Sequence, residues 1–292
     1  MKWDDNGPSQ DLEDRRGQSG GGGGRGFRLG GGRLGIGAFI VLLVLSAVFK
    51  TDLTGALGGE TDGGGAAAPS AGVSTPPTQT SAEEETLARF MSFVLDDAQN
   101  NWARIFTAGN AQYPRARLVL FRDEVNTGCG GAQSASGPFY CPADSKVYID
   151  LGFYDELRKR FGAPGDFAQA YVLAHEIGHH VQNVLGTERQ MRRLQQSNPG
   201  ARNELSVRLE LQADCFAGIW GRHAQEAGRL EQGDIEEALS AASAVGDDRI
   251  SKMTGSSIRP ESFTHGSAAQ RMEWFRRGFD SGTVESCDTF RS

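Results

Sequence analysis

The chain has 292 residues, with 30 Lys and Arg against 37 Asp and Glu, for a formal charge of −7. That length holds one sizeable domain plus extensions. An acidic chain whose arginines form no long basic run in its globular part offers no surface for nucleic acid. Its 40 glycines would be excessive for one packed domain, but many of them lie before residue 66, ahead of the globular region.

Residues 1–33 are polar and glycine-rich, with Gly20 to Gly24 in an unbroken run. Such a composition cannot bury enough apolar surface to fold, so a disordered Gly/Arg-rich tail is expected. Arg25, Arg28 and Arg33 then precede Leu34 to Phe49, 16 residues without a charge and slightly short for a spanning helix. A signal anchor, a cleaved signal peptide and a buried core helix are the alternatives. Low-complexity flanks speak against a core helix, and Ser46-Ala-Val-Phe-Lys50 is a poor cleavage site. The expectation is an uncleaved transmembrane anchor over 34–49, with tilt or its flanks supplying the missing length. Arginines before it place the N-terminus in the cytoplasm and the rest of the chain outside. Residues 50–81, rich in Gly, Pro and Thr, read as a tether.

From Ala82 to Ser292 the composition is globular. Apolar residues from Leu87 to Phe106 recur at helical spacing. Arg117–Phe121 and Lys146–Asp150 read as strands, with a Gly- and Pro-punctuated loop or hairpin between them. Cys129 and Cys141 bracket that loop and make one natural pair, with Cys215 and Cys287 as the other. Four cysteines allow three connectivities, and an even count fits an oxidising compartment.

The chain's central motif is His175-Glu176-Ile-Gly-His179, inside an apolar stretch of helical period that starts at Gly165-Asp166 and stops at Gly186. Histidines four apart share one helix face and can grip one metal ion, with Glu176 beside its bound water. The continuation, Gln182 and Leu185, lacks the Gly and His of the elongated metzincin motif. Glu210 and Asp214 are again four apart on a helix expected from Asn203 to about Gly228. Two carboxylates on one apolar helix face are costly to bury without partners. A metal would satisfy Glu210, and the free ring N–H of a ligand histidine would satisfy Asp214. The alternative is a solvated stripe paired with Arg208 or Arg222. Thr187–Gln190 and Gly233–Glu237 read as capping boxes, as does Ser267–Gln270 before a helix from Ala268 to Phe279. His180 and His223 are assigned structural roles, the latter among solvated charges.

His175-Glu-Ile-Gly-His-His-Val-Gln, Glu210-Leu-Gln-Ala-Asp-Cys, Gly137-Pro-Phe-Tyr-Cys-Pro and Ser262-Phe-Thr-His-Gly-Ser-Ala-Ala-Gln-Arg together resemble the bacterial putative neutral zinc metallopeptidase family, and more broadly the gluzincins. His265 and Arg271 match in spacing the Ser-His-Pro-(four residues)-Arg segment of membrane gluzincins. A helix N-terminus disfavours an imidazolium, and a neutral His265 could donate to an oxyanion, a local capping or surface histidine being the alternative. The resemblance implies that Arg271 contacts the oxyanion or a substrate carboxylate, or else forms a salt bridge. In gluzincin-like folds an edge strand before the active-site helix pairs with extended substrate.

The expected fold is α+β: a mainly helical zincin-like domain with a small antiparallel sheet, preceded by one transmembrane helix. The expected protein is a single-pass peptidase of a bacterial inner or cytoplasmic membrane, with one Zn2+ held by His175, His179 and Glu210, Glu176 as general base, and peptides or proteins as substrate. A zinc hydrolase of another amide or ester, and a tethered module without catalysis, are the other classes that fit.

Overall fold

The computed structural model describes residues 1–17 and 81–290. In chain order the strands are β1 (Leu12–Asp14), β2 (Arg117–Phe121), β3 (Glu124–Thr127), β4 (Gly130–Gln133), β5 (Phe139–Cys141) and β6 (Lys146–Asp150). The principal helices are α1 (Ala82–Ala108), α2 (Gly152–Lys159), α3 (Asp166–Leu185), α4 (Thr187–Ser197), α5 (Arg202–Glu226), α6 (Asp234–Ala244), α7 (Asp247–Thr254) and α8 (Ala268–Ser281). The molecule is thus α+β and mainly helical, as expected.

The sheet differs from expectation. Its order is β1-β2-β6-β5; β1 and β2, and β2 and β6, run parallel, and only β5 is antiparallel to its neighbour. Among the described residues, antiparallel pairing is confined to β5–β6 and to the separate β3–β4 hairpin. The physical reason is the length of chain between β2 and β6. It runs through that hairpin and β5, far enough to bring β6 back in the direction of β2, as a parallel pair requires.

The second correction concerns the start of the chain. Residues 1–17 are part of the fold. β1 aligns Leu12 with Leu118 and Asp14 with Leu120 on β2, and the Trp3 ring lies 5.5 Å from Phe90 of α1. Arg16 is buried and forks onto Asp14, with Glu85 at 3.0 Å. Ion pairs hold this segment together with Met1, Trp3 and Leu12, which pack on the core without any apolar period. Residues 18–33 and the expected anchor, Leu34 to Phe49, fall outside the described residues. Among those described, no helix is long and apolar enough to cross a membrane.

Helix α3 runs through the core, with Phe167, Tyr171, Leu173, Ala174, Ile177 and Val181 all buried. It ends at Gly186 in the left-handed conformation, φ 80°, where glycine carries no steric cost. Of the three expected capping boxes only Ser267–Gln270 forms. Gly186 and Gly233 precede α4 and α6 without a side-chain cap, because Thr187 already lies inside its helix and Glu237 turns to the Phe167 amide at 3.1 Å.

Close helix crossings set the spacing of the domain. A Cβ at Gly178 would stand 2.9 Å from the Ala213 carbonyl oxygen, and one at Gly278 only 1.9 Å from that of Cys215. The first crossing brings α3 against α5, the second α5 against α8. Both disulfides form as paired above, Cys129–Cys141 in the loop region and Cys215–Cys287 joining α5 to the C-terminal segment.

Candidate metal centre

The crossing at Gly178 lays the histidine face of α3 against the carboxylate face of α5. His175 Nε2 lies 3.3 Å from Glu210 Oε2, and His179 Nε2 3.6 Å from Glu210 Oε1. The donor atoms of the three residues all fall within 4.8 Å of one another. Ligands held about 2.0–2.1 Å from a tetrahedral zinc stand roughly 3.3 Å apart. The observed spacing and the N,N,O donor set therefore fit that ion.

Each histidine turns Nε2 inward because its other ring nitrogen is held from outside. His175 Nδ1 lies 2.9 Å from Asp214 Oδ1. Asp214 is fully buried and engages Tyr171 Oη, Arg271 Nε at 2.8 Å and Arg271 Nη2 at 2.9 Å. Its carboxylate thus has the partners that burial demands. Arg208 and Arg222 turn instead to Glu204 and Glu226, each at 2.8 Å, so the solvated-stripe alternative does not describe this helix face.

His179 Nδ1 lies 2.9 Å from Gln182 Oε1, while Gln182 Nε2 donates to Leu209 O at 2.7 Å. A backbone carbonyl can only accept, so it fixes the amide with its oxygen toward the histidine. Gln182, which removed the metzincin reading, is an orienting residue that the motif alone did not reveal.

Glu176 is buried beside the pair, and burial pushes its carboxyl above the ordinary value against the pull of His179 and His175. Burial also opposes ionisation of Glu210, yet His179 and His175 hold its carboxyl well below the usual range. Burial would lower His175, but Asp214 and Glu210 outweigh it and raise the imidazole to about 9. The cluster is an electrostatically tight unit.

Arg271 is 3 % exposed. Its fork is engaged by Asp214, and it approaches Glu210 no closer than 3.9 Å. Of the two roles considered for it, the structure shows the salt bridge.

His265 stands at the rim, near enough to Glu210 for each to shift the other's titration. Asp247, the first residue of α7, organises it. Asp247 Oδ2 accepts from the backbone amides of Thr264 and His265 at 2.7 Å and of Gly266 at 3.1 Å, while Oδ1 meets His265 Nδ1 at 3.2 Å. Burial would lower His265, but Asp247 and Glu210 raise it.

His180 faces away from the cluster and ties α3 to β5, with Nδ1 3.0 Å from Tyr140 Oη and Nε2 2.6 Å from Pro114 O. His223 is more engaged than a solvated residue, with Arg104 Nη2 2.9 Å from its Nδ1.

Comparisons with known proteins bear on the chain as a whole. A protein of Escherichia coli K12 called uncharacterized protein YpfJ is 47 % identical over 293 residues, 99 % of each chain. An uncharacterized protein of Mycobacterium tuberculosis H37Rv is 48 % identical over 189 residues, covering 61 % of this chain and 63 % of that one. No solved structure matches. The family described as putative neutral zinc metallopeptidase matches residues 1–290, and the chain belongs to that family.

Proposed function

We propose that the chain is a zinc-dependent peptidase in which His175, His179 and Glu210 hold the ion and Glu176 is the general base. One observation carries the reading: two imidazole Nε2 atoms and a carboxylate converge at tetrahedral spacing with a second buried carboxylate beside them. Three protein ligands would leave a position for water, as catalytic sites do. Zinc, when bound, lowers the pKa of water and polarises a carbonyl.

The chain's residues supply the rest. Glu176, its carboxyl raised by burial, accepts the proton of the attacking water and returns it to the leaving amine. Asp214 and Gln182 fix the ligand tautomers, and Arg271 balances the charge of Asp214. His265, held through Nδ1 by Asp247, is left with Nε2 to donate to an oxyanion.

Extended peptide substrate is favoured by the position of β5. It forms one end of the four-stranded sheet and is linked to α3 through Tyr140 Oη, which meets both His180 and Asn183. An open strand beside the metal helix can pair with a substrate backbone, which a small amide or ester would not need.

The deciding experiment measures zinc content and peptide-library cleavage for the full chain and for Glu176→Gln. Equal zinc with turnover reduced at least about 100-fold in the variant is expected. A fully active variant would overturn the mechanism.

A further inference from the structure

Residues 1–17 are joined to the rest of the protein by contacts that require a shared compartment. β1 extends the sheet beside β2. Ser9 Oγ donates to Asp96 at 2.7 Å, and Lys146 Nζ of β6 donates to Glu13 at 2.8 Å. Arg16 reaches the first turn of α1, with Nη1 3.4 Å from Glu84 O and Nη2 3.0 Å from Glu85. The chain therefore departs after Gly17 and returns at Ser81 on one corner of the molecule.

Between those points the sequence holds one long uncharged apolar stretch, Leu34 to Phe49. A single crossing there, as expected from the sequence, would put residues 1–17 and 81–290 on opposite faces of the bilayer. None of the pairs above could then form. Two crossings would restore a common side but need about 40 apolar residues, and the stretch has 16.

We infer that residues 1–17 and the metal-binding domain lie on the same side of any membrane that holds this protein. The inference is independent of zinc and of catalysis. It places the amino-terminal segment with the disulfides, since Cys141 lies on β5 of the same sheet that β1 extends.

The test is side-specific labelling of the full chain in bacterial cells. Gln10→Cys and Ser197→Cys each add a thiol at an exposed position, one in each part. Spheroplasts are treated with a membrane-impermeant maleimide before and after permeabilisation. Both thiols reacting beforehand, or both only afterwards, is the expected result, and the two cases report outer and inner faces respectively. One reacting beforehand and the other only afterwards overturns the inference. Repeating the measurement with Pro8→Cys and Gln196→Cys, also exposed, guards against a local disturbance by either new thiol.

Discussion

Helix α3 takes part in two candidate cation sites, one at its first residue and another at its middle. At the first, Asp166, Asp234 and Glu237 bring their oxygens within the same 4.8 Å limit as the donor atoms of His175, His179 and Glu210. Distance alone does not separate them. The difference lies in the cation at hand. The Met1 amino group lies 2.6 Å from Asp166 and 3.4 Å from both Glu231 and Asp234, so the first cluster already holds a cation from within the chain. At the second, Arg271 is held chiefly by Asp214, with Nη2 3.5 Å from His175 Nε2 and 3.9 Å from Glu210, and Glu210 faces two imidazole nitrogens. A group of acids reads as a metal site where the protein's own cations are committed elsewhere and the donors include imidazole nitrogen.

The comparison breaks most directly at Glu210. Glu210→Ala should abolish bound zinc, measured by elemental analysis, together with all peptide cleavage. Unchanged zinc would transfer the ligand role to Asp214. Asp214→Asn should keep part of the zinc but weaken its affinity about 10–100-fold. It also leaves the buried Arg271 charge without its partner, for a loss on the order of 3–5 kcal/mol in urea unfolding. A variant as stable as the parent would mean that the pair is not buried in solution. Gly178→Ala forces α3 from α5 at the Ala213 carbonyl, with about 1–3 kcal/mol of destabilisation and weaker zinc binding. Normal affinity would show that Glu210 does not depend on that crossing.

The smallest effect is expected at the other end of the helix. Asp166→Asn with Asp234→Asn should leave zinc content untouched and cost about 1–3 kcal/mol. Burial acts to lower the Met1 amino pKa, but Asp166, Asp234 and Glu231 raise it overall. Its contribution is therefore complete below the unfolded value of about 8 and is lost as pH rises through the folded one. Melting temperatures between pH 7 and 10 should show that alkaline loss in the parent and a flatter profile in the double variant. Equal slopes would remove the amino group from the account.

Legibility followed the range of the interactions. The strands at Arg117–Phe121 and Lys146–Asp150, the turn at Gly186 and the spacing of His175, His179, Glu210 and Asp214 are local patterns, and each marks its own place in the sequence. β1 is three residues, Leu-Glu-Asp, whose partner lies more than 100 residues away. No periodicity announces such a strand. Asp247 was equally hidden, because it binds backbone amides 17 to 19 residues on, which any side chains could supply. The role of Gln182 depends on a carbonyl of the neighbouring helix. Composition misled at residues 1–17, where ion pairs and a few apolar contacts, from Met1, Trp3 and Leu12, hold a segment with no apolar period.

The corner at Gly17 and Ser81 has a practical consequence. A fragment beginning at Ala82, the natural choice from sequence, would strip β1 from β2 and leave the backbone of Leu118 to Leu120 unpaired along one side. An apolar strand so uncovered is a template for intermolecular pairing, and such a fragment should aggregate. Joining residue 17 to residue 81 through a short Gly-Ser bridge would keep the sheet whole, and that chimera should escape this aggregation.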